Sequence, residues 1–107
     1  MTEPVRPDKI DAVIHERVRL AIVSALAVAP ELSFGELKEM LSLTDGNLSA
    51  HARTLEDAGY IRIRKSFAGR RPLTTMRLTR KGRAAFRKYL DTLKKIVEHG
   101  SETGDAE

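Results

Sequence analysis

The 107-residue chain contains no cysteine. Without thiols it forms no disulfides, no thiolate metal sites and no cysteine nucleophile, and this fits the reducing cytoplasm, where we expect the protein to act. No apolar run approaches the roughly 20 residues that cross a membrane, so we expect no membrane partner. The start of the chain also lacks the apolar segment of a signal peptide. A chain of this length is expected to form one domain.

Sequence motifs of catalysis are missing as well. There is no phosphate-binding loop, no nucleophile elbow and no catalytic motif of paired carboxylates, which argues against an enzyme. The histidines His15, His51 and His99 do not pair at ligand spacing on one helix. We therefore expect no catalytic residue, no metal and no cofactor. His51 adjoins the inward face of a predicted helix, so a structural hydrogen bond is the favoured interpretation.

Acidic residues are absent from the long stretch between Ala58 and Leu90. Its eleven basic residues are Arg62, Arg64, Lys65, Arg70, Arg71, Arg77, Arg80, Lys81, Arg83, Arg87 and Lys88. The segments on both sides are mildly acidic. A solvated surface usually mixes charges of both signs, whereas a block of one sign attracts polyanions. The charge pattern therefore favours a nucleic-acid partner.

Helical spacing of apolar residues predicts a first helix that begins near Asp8, as N-cap, and ends at Pro30. Its apolar positions are Ile10, Val13, Ile14, Val18, Ala21, Ile22, Ala25 and Leu26. Residues 1–7 are expected to be a flexible leader, and residues 100–107 a flexible acidic tail. The single domain is expected over residues 8–99.

Two helix-start signals follow in close succession. Ser33 and Glu36 form a predicted capping box, and Thr44 is the expected N-cap of a third helix. The predicted inward residues are Leu37, Met40 and Leu41 in the second helix, and Leu48, Ala52 and Leu55 in the third. Only Ser42 and Leu43 remain between these helices. Two short helices joined by so short a turn are typical of a helix-turn-helix.

Gly59 is expected to end the third helix. After it, apolar residues no longer follow helical spacing but occur at every second position. The alternation predicts a hairpin of two strands with Gly69, Arg70 and Arg71 at its tip. Thr79 is expected to cap a final helix, whose apolar stripe is Phe86, Tyr89, Leu90, Leu93, Ile96 and Val97. The predicted fold is mainly α with a small β-hairpin, in the order helix-helix-helix-strand-strand-helix.

Three segments, residues 43–61, 69–72 and 78–83, resemble the winged helix-turn-helix transcriptional regulators, above all short MarR-like and ArsR-like DNA-binding proteins. The resemblance covers residues 10–97. It implies a homodimer that binds a specific sequence of double-stranded DNA. The third helix would then lie in the major groove, and the hairpin wing against the backbone or minor groove. Met76 departs from the pattern, since such wings often carry an aromatic residue there, and we expect this to affect packing only.

Carried over by position, the resemblance places two groups of residues at the DNA. The third helix would present Thr44, Asp45, Asn47, Ser49, Ala50, Arg53 and Thr54, and the wing Arg70 and Arg71. The physical reasoning agrees, because inward Leu48, Ala52 and Leu55 put most of these on the opposite face. Asparagine and arginine can each contact purine edges through two hydrogen bonds. The alternative for Arg70 and Arg71 is a solvated hairpin tip without function.

The far end of the final apolar stripe extends past what a three-helix core with a hairpin can cover, and so predicts a dimer interface. The expected interface residues are Ile10, Val13, Ile14, Tyr89, Leu90, Leu93, Ile96 and Val97. A small-molecule effector, if one acts on the protein, is expected to bind there. One alternative is a final helix folded back on its own domain. Another is a winged-helix module that binds a protein without specific DNA readout, which the polar face of the third helix disfavours.

Overall fold

The computed structural model of the protein describes residues 3–103. A single 3-10 turn at Pro7–Lys9 precedes the secondary structure that forms the domain. The helices are α1 (Arg17–Val28), α2 (Phe34–Met40), α3 (Asp45–Asp57) and α4 (Arg80–Thr103), and the strands are β1 (Leu32–Ser33), β2 (Ile61–Ala68) and β3 (Arg71–Leu78). Residues 1–2 of the predicted leader and 104–107 of the predicted tail lie outside the described residues.

The starts of α2 and α3 confirm the predicted caps. Ser33 Oγ accepts a hydrogen bond from the Glu36 N–H at 3.1 Å, and a Glu36 carboxylate oxygen accepts one from the Ser33 N–H at 2.9 Å. Thr44 Oγ1 accepts from the Asn47 N–H at 3.1 Å. The turn between the helices places Ser42 at φ +53°. These caps satisfy N–H groups that have no partner inside the helix, and so fix where each helix begins.

The sheet has three antiparallel strands in the order β1-β3-β2. The predicted hairpin is confirmed, with Ile61 opposite Leu78 at its base and Ala68 opposite Arg71 at its tip. Gly69 adopts φ +65° in the two-residue loop, the conformation that glycine takes at the first position of a type II′ turn. β1 was not predicted from sequence, because Leu32 pairs with Met76, far along the chain.

The core lies between α1, α2, α3 and the inner face of the sheet. Its fully buried side chains include Ile22, Leu26, Leu37, Leu48 and Leu55. Burial of each such side chain stabilises the fold by roughly 1.5–3 kcal/mol. The three inward residues predicted for α3 are all fully buried, which leaves the opposite face of that helix to solvent.

The prediction that the first helix begins near Asp8 is wrong: α1 begins at Arg17. Asp11 instead caps a turn, because its Oδ1 accepts hydrogen bonds from the N–H groups of Val13 and Ile14 at 2.9 and 3.1 Å. Glu16 is extended and serves as the N-cap of α1, accepting from Arg19 and Val18. These hydrogen bonds, that of Arg19 foremost, lower the pKa of the Glu16 carboxyl.

Two further expectations are corrected. Met40 was predicted to point inward but is 59% exposed. It is the last residue of α2, and the backbone leaves helical geometry at the following residue, Leu41. The tail was expected from Gly100, whereas α4 continues through Thr103. A glycine inside a helix costs only about 1 kcal/mol relative to alanine, which a long helix tolerates.

Candidate nucleic-acid interface

The exposed face of α3 carries the residues predicted to read DNA. All seven of them are exposed: Thr44, Asp45, Asn47, Ser49, Ala50, Arg53 and Thr54. Because Leu48, Ala52 and Leu55 hold the other face in the core, this exposed face is fixed in orientation. A helix held rigidly from behind can present its side chains at defined positions.

Three of these seven side chains already have partners within the chain. Thr44 caps α3, the Thr54 hydroxyl donates to the Ala50 carbonyl at 3.2 Å, and Asp45 accepts from Lys38 Nζ at 2.7 Å. The side chains of Asn47 and Arg53 form no hydrogen bond or ion pair with residues 3–103. Their donors and acceptors are therefore available to an outside partner. Lys38, which the sequence analysis did not single out, offsets the negative charge at the start of α3.

The hairpin wing presents the predicted Arg70 and Arg71 at its tip. Arg70 is in the two-residue loop and Arg71 is the first residue of β3, and both are exposed. Neither forms an ion pair with the part of the chain that the structure describes. Their positive charge is not neutralised within the domain, so it is free to attract an anion.

A second group of arginines lies at the base of the hairpin. Arg62 and Arg77 stand directly opposite each other on β2 and β3, and with Arg80 and Arg83 they line one shallow cleft of about 380 Å³. Like charges directly opposite across two strands are destabilising. Among the described residues, none of the four forms an ion pair. All four belong to the block of basic residues that the sequence analysis singled out, and they add positive charge at the base of the hairpin.

The end of α3 and the start of α4 meet in what we call the α3–α4 joint, formed by Gly59, Tyr60, Thr79 and Gly82. The predicted end of α3 at Gly59 is confirmed, with φ +80°. Thr79 donates from its N–H to the Tyr60 carbonyl at 3.0 Å and from its hydroxyl to the Gly59 carbonyl at 2.6 Å. It also caps α4 as predicted, accepting from the Gly82 N–H at 3.0 Å.

Gly82 leaves no room at this joint for a side chain. A Cβ at Gly82 would lie 2.0 Å from the Tyr60 carbonyl oxygen, well inside any real contact. The backbone of α4 is therefore in close contact with the chain that leaves α3. The joint therefore holds the start of α4 directly against the residues that follow α3.

The residues predicted for a dimer interface fall into two groups. Ile14 and Tyr89 are buried within the chain, at 0% and 2% exposure, and so offer almost no surface to a partner. Ile10, Val13 and Leu93 are half-buried. Leu90, Ile96 and Val97 are exposed along α4, by 46%, 40% and 64%. Among the predicted interface residues, the exposed ones therefore all lie on α4, from Leu90 onward.

Ile14 is buried because hydrogen bonds hold the segment before α1 against the helices. The Tyr60 hydroxyl donates to Asp11 Oδ2, and the Tyr89 hydroxyl lies 2.7 Å from His15 Nδ1. Burial, together with the Asp11 carboxylate, raises the pKa of Tyr60 to about 12, and burial also raises the pKa of Tyr89. A cleft of about 320 Å³ remains between this segment and α4, and Asp11, Tyr60 and Tyr89 contribute to its lining.

The predicted structural role of His51 is confirmed, because its Nδ1 lies 3.0 Å from an Arg19 guanidinium nitrogen.

Within residues 3–103, no three metal-ligating side chains come together as a candidate metal site. No helix in the same range is both long enough and apolar enough to cross a membrane.

Three helices around a small sheet, with an exposed polar α3 and a basic hairpin, define a winged helix-turn-helix protein. The sequence profile of the winged helix DNA-binding domain matches residues 18–97. The chain therefore belongs to this family of DNA-binding transcriptional regulators, and its fold is of the MarR-like and ArsR-like type.

Individual relatives agree with this assignment. An uncharacterized protein of Methanocaldococcus jannaschii is 38% identical over 78 residues, which cover 73% of this chain and 85% of the relative. A transcriptional regulator homologue from Pyrococcus horikoshii is 31% identical, with a TM-score of 0.77 over 81% of this chain and 86% of its own. A MarR-family regulator from Silicibacter pomeroyi shares the fold, with a TM-score of 0.62 at 22% identity over 84% of this chain and 57% of its own.

Proposed function

We propose that the protein is a homodimeric transcriptional regulator that recognises a specific sequence of double-stranded DNA. In this proposal α3 enters the major groove and the wing tip lies on the backbone or in the minor groove. The observation that carries it is the rigid, exposed face of α3, whose Asn47 and Arg53 have no partner among the described residues. The protein would act in the cytoplasm.

The composition of the α3 face supports base readout. Asparagine can make two hydrogen bonds to an adenine edge, and arginine two to a guanine edge. Ser49 and Ala50 are small, so the helix backbone can approach the groove floor closely. A surface that binds a protein would be expected to expose apolar side chains here, and α3 exposes none larger than Ala50.

The wing arginines support contacts to the DNA that are not made to base edges in the major groove. Arg70 and Arg71 are exposed and unneutralised at the hairpin tip, which suits phosphate oxygens or a narrow minor groove. The arginines at the hairpin base, Arg62 and Arg77, add to the positive field. Together they would draw the duplex to the protein before α3 reads it.

The apolar stripe of α4 supports the homodimer. The apolar positions Phe86, Leu90, Leu93 and Val97 are spaced by four, three and four residues, the spacing of a helix seam that pairs with another helix. Phe86 packs against the core, while the later positions extend past it. Two copies joined along this seam would bury it and would place two α3 helices in successive major grooves, about 34 Å apart.

The proposed dimer also suggests where an effector would bind. We expect a small molecule, if one acts on the protein, to bind beside the dimer seam. The cleft between the segment before α1 and α4 supports this position, because Lys88 and Tyr89 of α4 contribute to its lining. A ligand there would contact both α4 and Tyr60, which follows α3.

Selection of bound sequences from a random duplex pool tests the proposal directly. We expect a near-palindromic site with two half-sites about one helical turn apart. On that site Asn47→Ala and Arg53→Ala should each reduce discrimination against altered base pairs by roughly 1–3 kcal/mol. Equal loss of affinity for the selected site and for random DNA would show that α3 is not the reader. Failure to select any sequence would favour the protein-binding module instead.

Salt dependence tests the wing separately. Each of Arg70→Ala and Arg71→Ala should weaken binding to all sequences and lower the slope of log affinity against log salt by about one. Arg87→Ala, which removes the same charge from an exposed position on α4, is the matched control and should change the slope less. Unchanged slopes in both wing variants would remove the wing from the mechanism.

A further inference from the structure

Phe67 is an exposed aromatic residue close to the wing tip. An aromatic residue in a strand is expected at a core or boundary position, but the side chain of Phe67 is 71% exposed. Its cross-strand partner, Pro72, is exposed as well. A phenylalanine left in water loses the stabilisation that burial would give it, so this position calls for an explanation.

The position of Phe67 along the hairpin explains why its own domain cannot cover it. Going outward on the core-facing side of β2, Ile61 is buried, Ile63 is half-buried, and Lys65 is exposed. Phe67 comes next on that side, about 13 Å beyond Ile63 at the usual rise of a strand. It is not among the side chains that pack against the core cluster. The hairpin therefore carries an apolar group beyond the reach of the helices.

The charges around this apolar group indicate its partner. Arg70 and Arg71 follow within four residues, and the nearest acidic residues in sequence are Asp57 and Asp91. By the strand register, Phe67 and Pro72 share one face of the hairpin, Arg71 lies on the other face, and Arg70 is in the loop. An apolar group with uncompensated positive charge close by in the chain suits an apolar base stack flanked by phosphate backbones. Proteins that bend DNA insert phenylalanine or proline between base pairs from the minor groove in this way.

We propose that Phe67, supported by Pro72, is a wedge that enters the minor groove, partly unstacks one base-pair step and bends the duplex. This inference rests on the proposed function, because it requires the wing to reach the DNA. Arg70 and Arg71 hold the backbone on either side of the wedge. The step under the wing should be a flexible pyrimidine–purine step, TA or CA, since these unstack at the lowest cost. Shape readout by the wing then adds to base readout by α3.

Bending of the selected duplex gives the first test. The distance between fluorophores on the two duplex ends is measured by energy transfer, with wild type, Phe67→Ala and Phe67→Leu. We expect the wild type to bend the duplex, and Phe67→Ala to lose most of the bend and about tenfold in affinity, as for removal of one aromatic that stacks on a base. Phe67→Leu keeps a bulky apolar side chain and should retain most of the bend. An unchanged bend with Phe67→Ala overturns the wedge.

The absence of tryptophan from the chain allows a second, direct test. Phe67→Trp creates a single indole whose fluorescence is quenched when it stacks on a base. Val28→Trp is the matched control, because Val28 is 88% exposed at the end of α1. We expect the selected duplex to quench the indole at position 67 and not at position 28. Binding without quenching at 67 overturns the wedge and leaves the proposed function standing, whereas absence of duplex binding by the wild type overturns both.

Discussion

Helices α3 and α4 obey the same packing rule and yet expose opposite kinds of surface. Each buries one apolar face against the domain. The free face of α3 presents small or polar side chains such as Asn47 and Ser49, whereas α4 beyond Tyr89 exposes Leu90, Ile96 and Val97. In the proposed function, this difference reflects two different partners for the two helices. A polar face suits hydrogen bonding to base edges, and an apolar face suits a second copy of the chain.

The largest expected effect comes from a charge placed on the apolar face of α4. Leu93→Glu should weaken the dimer by about 100-fold or more, because burial of an unpaired charge in the seam costs several kcal/mol. Affinity for a palindromic duplex should fall with it. Sedimentation of both proteins at micromolar concentration measures the effect, and a circular dichroism melt checks that the variant is folded.

Leu93→Ala is the matched control, since it shortens the side chain without adding charge, and its effect should be smaller. A monomeric wild type, or a Leu93→Glu dimer as tight as the original, would contradict the assignment of α4 to a second copy.

A substitution at the α3–α4 joint tests the close contact that connects the two helices. Gly82→Ala forces a methyl group against the Tyr60 carbonyl, and overpacking of this kind costs about 1–3 kcal/mol. Urea denaturation should show this loss of stability. Gly100→Ala is the control in the same helix, because no atom lies within 4 Å of its added Cβ. It should be neutral or stabilising by up to about 1 kcal/mol, and equal effects of the two substitutions would refute the close contact.

The smallest expected effect concerns the hydrogen bond that holds the segment before α1 to the end of α3. Tyr60→Phe removes the bond to Asp11 and should cost about 1 kcal/mol at neutral pH. The Tyr60 pKa is raised from 10.0 to about 12 by burial and by Asp11, so the folded state holds this proton more tightly than the unfolded state. Stability from this source is complete below pH 10 and is lost as the pH rises toward 12.

Urea midpoints of wild type and Tyr60→Phe, compared at neutral pH and at about pH 11, check that sign. The difference between the two proteins should shrink at the higher pH. A difference that grows with pH would mean that Tyr60 is not stabilised in its protonated form.

Local signals predicted those parts of the fold that depend on neighbouring residues. The caps at Ser33 and Thr44 and the turn glycine Gly69 act within three residues of themselves, so their roles could be read directly. The start of α1 was missed because Asp8 has the chemistry of an N-cap, whereas the capping is done by Glu16, a less common cap residue. β1 was missed because two residues acquire strand structure only from a distant partner.

The family resemblance supplied the candidate DNA-contact residues, and helical periodicity agreed for those in α3, because the buried face of that helix fixes its exposed face. The sequence could not reveal which polar groups already have partners within the chain. Asp45 is an example, because it forms an ion pair with Lys38. Nor could it reveal that Ile14 is buried within its own chain. That burial depends on the hydrogen bond between Tyr60 and Asp11, which are 49 residues apart in sequence. Nor could the exposure of Phe67 be predicted, because it depends on how far the hairpin extends beyond the core.

The close contact at Gly82 has a mechanical consequence. At about 1.5 Å per residue, the 24 residues of α4 form a rod of about 36 Å, held at one end by the α3–α4 joint. A swing of about 10° at that pivot would displace the far end by about 6 Å, nearly two base-pair steps of about 3.4 Å. If the far ends were held together in a dimer, the same rotation would instead change the separation of the two α3 helices. They would then no longer match successive major grooves. A small molecule bound beside Tyr60 would then need to shift the start of α4 only slightly. The length of the helix would convert that shift into a larger displacement that releases the duplex.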